Sequence, residues 1–431
     1  MADTPGDSKP ELKYQALDDL ADLPRSALYS HYRRMVDDLA DDTKFPHISA
    51  AFLPTHLLAW IKSYLKYAFL PKHPFVCYPN TGEQGLYPLQ AADGSKTVKV
   101  AVAGDWGTGT KEAEKVAEGM AKFQPDYTIH LGDVYYVGAS QEVAENCLGK
   151  TEFGYQGVSW PKGKVGSFTM NGNHEMYANG DGYFDLFMAH MGIPNSQDGK
   201  QLASFFCLEN DIWRIIALDT GYNSTGLPIL GFIPLINKIP GVGPTCKLEA
   251  GSIEWLRNVV RPKERPRATI VLTHHQAFSS FESTFKLPPQ QLTEFLTGQD
   301  ILWIWGHEHR WSVYGKGSVA GLSAYGRCAG HGGMPVDMNK PKDCKKEPLQ
   351  FFDERVYQKL EGKKVGFNGF INLTIEGKVA TLDHRDLNNY SILVEKFTAG
   401  EDHRLSQTFL SVDPELSRGT AAPPAGLAAA Q

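Results

Sequence analysis

Five short stretches between Val98 and His309 carry side chains suited to holding metal ions. They are Gly104-Asp105-Trp106-Gly107, Gly132-Asp133-Val134-Tyr135-Tyr136, Gly172-Asn173-His174-Glu175, Thr273-His274-His275 and Gly306-His307-Glu308-His309. Together Asp105, Asp133, Tyr136, Asn173, His274, His307 and His309 offer hard or borderline oxygen and nitrogen donors and no thiolate, a set that suits Fe, Mn, Zn or Mg. Seven ligands are too many for one ion and fit two when one carboxylate bridges them. Two ions about 3.5–4 Å apart can clamp a phosphoryl group and hold an activated hydroxide. A Gly-Asp-x-x-Tyr turn or a His-x-His pair on its own is common local structure; the joint signal is five such motifs in one order.

The elements that must position these residues are legible as apolar runs. Four of the five motifs close one: VKVAVA, YTIHL, ATIVL and ILWIW; SFTM before Asn171 has the same form with more polar side chains. In an α/β sheet the C-terminal ends of neighbouring strands gather at one edge, where such folds place their sites. A strand at Thr97–Ala103, a Gly-rich turn, a helix with Ala113, Val116, Ala117, Met120 and Phe123 on one side, and a strand at Tyr127–Leu131 read as a β-α-β unit. The turn, Gly107-Thr108-Gly109-Thr110, is not a dinucleotide fingerprint because G-x-G-x-x-G is absent. Ser204–Leu208 and Ile212–Leu218 read as a hairpin, and Ser252–Val260 as a helix. His274 and His275 are adjacent on an extended segment, so they are expected on opposite sides. His130 and His384 lie in strand-like runs and read as core or surface histidines, and Trp303, Trp305 and Trp311 as core.

The 431 residues allow two or three average domains, or one large α/β domain with additions. Hydrophobic content of 42% and charged content of 21% fit a globular protein with a sizeable core. A net charge of −6 gives no basic field and argues against sequence-independent nucleic-acid binding. The acidic, polar start and the absence of a long apolar run give neither a secretory signal nor a membrane span, so the cytoplasm is the default compartment. Six scattered cysteines without a C-x-x-C pair fit reduced, mostly buried thiols.

The order and types of the motifs resemble the calcineurin-like metallophosphoesterases, and within them most closely the purple acid phosphatases. The wider family opens with D-x-H, where this chain has Asp105-Trp106-Gly107; the missing histidine is matched by Tyr136, three residues after Asp133, as in the G-D-x-x-Y motif of purple acid phosphatases. The resemblance covers roughly residues 97–325 and implies an α/β fold of four layers, an α/β/β/α sandwich of two packed mixed sheets flanked by helices. It implies Fe(III) on Asp105, Asp133, Tyr136 and His309, with Asp133 bridging, and a divalent Fe, Zn or Mn on Asn173, His274 and His307. His274 is chosen over His275 because it follows V-L-T as the family motif requires. Phenolate-to-iron charge transfer from Tyr136 would colour the protein, and hydroxide generated at the trivalent ion would attack phosphorus in line. His174 and His275, outside the ligand set, are the candidates to contact the phosphate or protonate the leaving alkoxide, with His331 in Ala-Gly-His-Gly-Gly behind them.

Around this core, residues 1–95 read as an N-terminal helical extension, 96–398 as the catalytic domain and 399–431 as a tail disordered at its end. The extension shows helical apolar spacing at Leu28, Tyr32, Met35, Val36 and Leu39 and again at Leu57, Ile61, Tyr64, Leu65 and Ala68. Lys62 and Lys66 off the second stripe also suit a membrane-surface helix, but core packing is favoured. Gly221–Cys246, rich in Gly, Pro and apolar residues, reads equally as a lid or as a loop that packs down. Met334–Lys364 reads as a charged linker, and Ser318–Ala324 with the Phe370–Asp383 hairpin as a second sheet. The expected activity is hydrolysis of a small-molecule phosphate monoester. Phosphodiester hydrolysis on nucleotides or lipid head groups is the alternative, and a scaffold with a degenerate site is disfavoured because no ligand position is lost. The oligomeric state is left open.

Overall fold

The computed structural model describes residues 65–67, 70–79, 84–150, 156–226, 242–342, 348–360, 363–419 and 421. The helix expected over residues 26–39, most of that over 54–70, the centre of the 221–246 insertion and the final ten residues lie outside them.

Two mixed sheets face each other. The first has seven strands in the order Leu405–Val412, Ser391–Ala399, Val379–Asp386, Gly369–Glu376, Thr97–Ala103, Tyr127–His130 and Gly166–Thr169. The second has nine: Leu86–Pro88, Phe206–Glu209, Trp213–Leu218, Ala268–Thr273, Asp300–Trp305, Leu322–Ala329, Trp311–Val319, Leu349–Phe352 and Ser417–Arg418. Alternate residues of the central strands, Val98, Val100 and Val102 from one sheet and Ile270, Leu272, Leu302 and Ile304 from the other, bury each other in one core. Their neighbours in sequence face outward under helices. Ala101 and Ala103 pack with Ala113, Val116 and Met120 of the helix Lys111–Lys122. Val271, Trp303 and Trp305 pack with Leu256, Val260, Leu292 and Phe295 from the segments Ala250–Val260 and Leu287–Leu296. Both faces of each central strand are therefore buried, which is why these strands read as unbroken apolar runs. The result is the four-layer α/β/β/α arrangement.

The β-α-β unit forms as expected, with Val100–Ala103 pairing parallel to Tyr127–His130, and Phe206–Glu209 pairs antiparallel with Trp213–Leu218. Other expectations need revision. Ser318–Ala324 spans a turn at Ala320-Gly321, joining two long strands of the nine-stranded sheet. The Gly369–Asp386 hairpin instead joins the sheet of Thr97–Ala103. The charged stretch 334–364 contributes the strand Leu349–Phe352 and most of the hairpin Val356–Leu360/Lys363–Gly366. Long-range pairing overrode its composition. Leu86–Pro88 and Leu405–Val412 are edge strands of the nine- and seven-stranded sheets. Among the described residues no helix is long and apolar enough to cross a membrane.

Candidate metal centre

Every one of the five motifs begins where a strand ends, and the parallel strands of both sheets end on the same side. The loops approach one another so closely that their glycines leave no room for a side chain. A Cβ on Gly172 would fall 2.1 Å from Asp133 Oδ1, and one on Gly132, whose φ is +104°, 2.7 Å from His274 Nδ1. Asp105, Asp133 and His307 themselves adopt positive φ, at 56°, 73° and 65°. For residues with a Cβ this conformation costs roughly 1–2 kcal/mol each, and such strain clusters at functional sites.

The donor atoms fall into two groups that share Asp133. In one, His309 Nε2 lies 3.4 Å from Asp105 Oδ1, and a tyrosine hydroxyl bridges them to Asp133 Oδ2. In the other, Asn173 Oδ1 lies 3.1 Å from His274 Nε2 and 2.9 Å from His307 Nδ1, while His274 Nε2 is 3.2 Å from Asp133 Oδ1. Ligands at right angles about 2.1 Å from one ion lie about 3.0 Å apart, so the spacing fits the edges of two coordination shells.

A chemical test of the fit comes from His274. Its Nδ1 lies 2.9 Å from the Leu131 carbonyl, which can only accept, so Nδ1 carries the proton. A neutral ring then aims the Nε2 lone pair at two oxygens, Asn173 Oδ1 and Asp133 Oδ1. Only a cation makes that arrangement favourable, whether a metal ion or a proton. Burial alone would lower the His274 pKa, yet Asp133, Asp105 and Glu175 raise it to about 9. The same oxygens would draw in a metal ion. Two fully buried carboxylates, Asp105 and Asp133, need such compensation. Asp133, despite burial, is held well below the usual carboxylate range by His274 and His174, whereas burial and His274 push His307 down to about 3. A neutral imidazole is the form that ligates.

Of the residues expected at the site, Asp105, Asp133, Asn173, His274, His307 and His309 are brought together. For Tyr136, the amide donates to Glu142 Oε1 at 2.6 Å and the carbonyl receives His174 Nδ1 at 2.6 Å; it shares one buried cluster with Tyr135, Val137, Ala178 and Met334. The hydroxyl that reaches the oxygens is that of Tyr135. His174 lies over the centre, its amide donating to Asp133 Oδ1 at 3.0 Å and its Nε2 3.8 Å from Asp133 Oδ2. Burial lowers its pKa to about 4. His275 is not opposed to His274. The strand stops at Thr273 and the chain bends, so the two rings meet edge to face at 4.8 Å. One nitrogen each of His274, His275 and His307 lies within 4.8 Å of the others. His331 is buried against Gly369; burial and then His384 lower its pKa to about 3. His130 and His384 are fully buried in the core, as are Trp303, Trp305 and Trp311.

Several supporting residues were not singled out in the sequence. Glu175 accepts from the amides of Gly172 at 2.9 Å and Asp133 at 3.1 Å, tying two ligand loops together; burial and Asp133 raise its pKa to about 8. The Tyr177 hydroxyl receives Asn173 Nδ2 at 3.1 Å, which turns Oδ1 toward the histidines. Thr220 Oγ1 holds the His275 ring and amide. Glu175 was accessible through its motif, but Tyr177 and Thr220 carry no local signal.

Residues 98–311 match the model of the family described as calcineurin-like phosphoesterase. Curated protein sequences yield no significant match. Among solved structures, a purple acid phosphatase from yellow lupin (Lupinus luteus) seeds is 14% identical over 72% of this chain and 54% of its own, with a TM-score of 0.45. The chain therefore spans about half the length of that protein. A Plasmodium protein described as the anchor in the inner membrane complex is 14% identical over 74% of this chain and 90% of its own, at 0.44. A dimetal phosphatase from Danio rerio is 10% identical over 70% and 99%, at 0.41. The family match covers all five motifs and the strands that carry them, and over that stretch the chain belongs to the calcineurin-like phosphoesterases.

Proposed function

We propose that the chain hydrolyses small phosphate monoesters at a pair of metal ions. Asp105, Asp133 and His309 would hold one; Asp133, Asn173, His274 and His307 would hold the other. The observation that carries this reading is the meeting of His274 Nε2 with Asn173 Oδ1 and Asp133 Oδ1, 3.1 and 3.2 Å away, three donor atoms from three strand-end loops. A phenol beside the first position favours a hard trivalent ion such as Fe(III), leaving a divalent Fe, Zn or Mn for the second. When bound, such a pair supplies Lewis-acid activation of water and neutralises charge on the phosphoryl oxygens.

The chain's own residues then orient and protonate. His174 donates from Nδ1 to the Tyr136 carbonyl, which leaves Nε2 as the atom that can hold a proton for the departing alkoxide. His275, fixed by Thr220, packs its ring against His307 at 4.6 Å and Phe285 at 4.9 Å. It is placed to contact a phosphoryl oxygen. The half-buried Phe285 lies beside His307, and only His307 and His309 of the six ligands are partly exposed. The leaving group therefore enters beside Phe285. The net charge of −6 disfavours long nucleic acids as substrates.

The test compares hydrolysis of an aryl monoester and a bis-aryl diester by protein purified without chelator, then stripped of metal, then reloaded. Monoester hydrolysis that disappears on stripping and returns on reloading is the expected result. A preference for the diester would move the assignment to nucleotide or lipid head-group diesters. Two bound ions with neither ester cleaved would overturn it.

A further inference from the structure

Tyr135 is the phenol that meets the ligand atoms. Its hydroxyl lies 2.9 Å from Asp105 Oδ1, 3.2 Å from Asp133 Oδ2 and 2.8 Å from His309 Nε2. These atoms come from three different strand-end loops, and the resemblance places all three at one metal position. A hydroxyl has one hydrogen, so as a neutral phenol Tyr135 can donate to only one of the two carboxylates. Around a cation the same four atoms become mutual neighbours in a coordination shell, where separations near 3 Å are expected for ligands about 2.1 Å from the ion.

The ring is held in place independently of any ion. Tyr135 is buried, its amide donates to the Gly107 carbonyl at 2.9 Å and its carbonyl accepts from Asn146 Nδ2 at 2.8 Å. Its ring lies 4.3 Å from that of His174. The first bond ties it to the loop of the first motif and the second to the helix Ser140–Asn146. Tyr136, one residue further on, is committed through its amide to Glu142 and through its carbonyl to His174.

We propose that Tyr135, two residues after Asp133, supplies the phenolic oxygen to the metal position formed by Asp105, Asp133 and His309, in place of Tyr136 at the spacing the motif leads one to expect. This rests on the metal-centre reading above and goes beyond it, since either tyrosine would satisfy that reading. The chain carries tyrosine at both positions, so only their placement distinguishes them.

The experiment loads the full chain with Fe(III), as wild type, Tyr135→Phe and Tyr136→Phe, and measures the visible spectrum alongside metal content by mass spectrometry. The expected result is a phenolate charge-transfer band in wild type and Tyr136→Phe that is lost in Tyr135→Phe. Iron affinity in Tyr135→Phe should also fall by about 10- to 100-fold, as for loss of other groups that tune a metal site. A band that survives in Tyr135→Phe overturns the assignment, as does iron-loaded wild type without a band, which would leave Tyr135 a hydrogen-bond donor only. Should Tyr135→Phe fail to fold, Tyr136→Phe still decides. A lost band with two ions bound and hydrolysis intact removes Tyr135 alone, and a retained band supports it. Wild type that takes up no metal removes the metal-centre reading, and this assignment with it.

Discussion

Gly172→Ala tests whether close approach of the motif loops, rather than the ligand side chains alone, builds the site. The added Cβ would lie 2.1 Å from Asp133 Oδ1 and 2.8 Å from the Asp133 amide nitrogen, against the 3.0 Å that real Cβ contacts respect. Something must therefore move by about 0.9 Å, and overpacking of this kind costs about 1–3 kcal/mol. The group displaced is the carboxylate shared by both donor clusters, and a misplacement of about 1 Å in such a site can cost about 100-fold in rate. Thermal unfolding, metal content and kcat/KM on an aryl phosphate would be measured together. Stability should fall modestly, while kcat/KM falls by about two orders of magnitude and bound metal drops below two per chain. Gly298→Ala is the control: its φ is +88° but its Cβ would meet nothing within 4 Å, so it should cost about 1 kcal/mol of strain and leave activity alone. Full activity with two ions in Gly172→Ala would refute the claim that loop approach positions Asp133.

Three further outcomes follow from other contacts. Asp133→Asn removes the charge that holds His274 above its ordinary pKa. It should abolish hydrolysis and lower bound metal at both positions, whereas an unchanged rate would favour a scaffold role. Glu395→Gln breaks the fully buried pair with Arg327 that also engages His384, and should cost about 3–5 kcal/mol with metal content per folded chain unchanged. Burial would raise the Glu395 pKa, but Arg327 and His384 hold it at about 2 against 4.5 for an ordinary glutamate. Because the folded value is the lower one, its stabilisation, about 3 kcal/mol, is present above pH 4.5 and fades as pH falls toward 2; acid unfolding of wild type and Glu395→Gln, which lacks this dependence, would show it. Phe285→Ala should raise KM for aryl phosphates by several-fold, in line with about 0.5–1.5 kcal/mol for an aromatic contact, with little change for glycerol phosphate. Equal effects on both substrates would place Phe285 outside the leaving-group path.

The sequence alone marked out the candidate side chains and the strands that carry them. Asp105, Asp133, Asn173 and His307 each follow a strand-like run through a glycine, His309 lies two residues beyond His307, and His274 follows its run through Thr273; both signals, strand periodicity and the turn that ends it, are local. The β-α-β unit was legible for the same reason, because its helix and strands bury faces set by nearest neighbours in the chain. What only the tertiary structure decided was long-range. Leu349–Phe352 lies in a charged, proline-containing stretch and became a strand because Trp311–Val319 offered an edge to pair with. His275 was brought beside His307 by a bend after Thr273 that no periodicity encodes. Tyr177 orients Asn173 only because of how that loop folds back. The two adjacent tyrosines make the division plainest: motif spacing points to Tyr136, whereas the packed fold brings the Tyr135 hydroxyl to 2.9 Å from Asp105 Oδ1 and 2.8 Å from His309 Nε2, its backbone held by Gly107 and Asn146, partners whose positions depend on that fold.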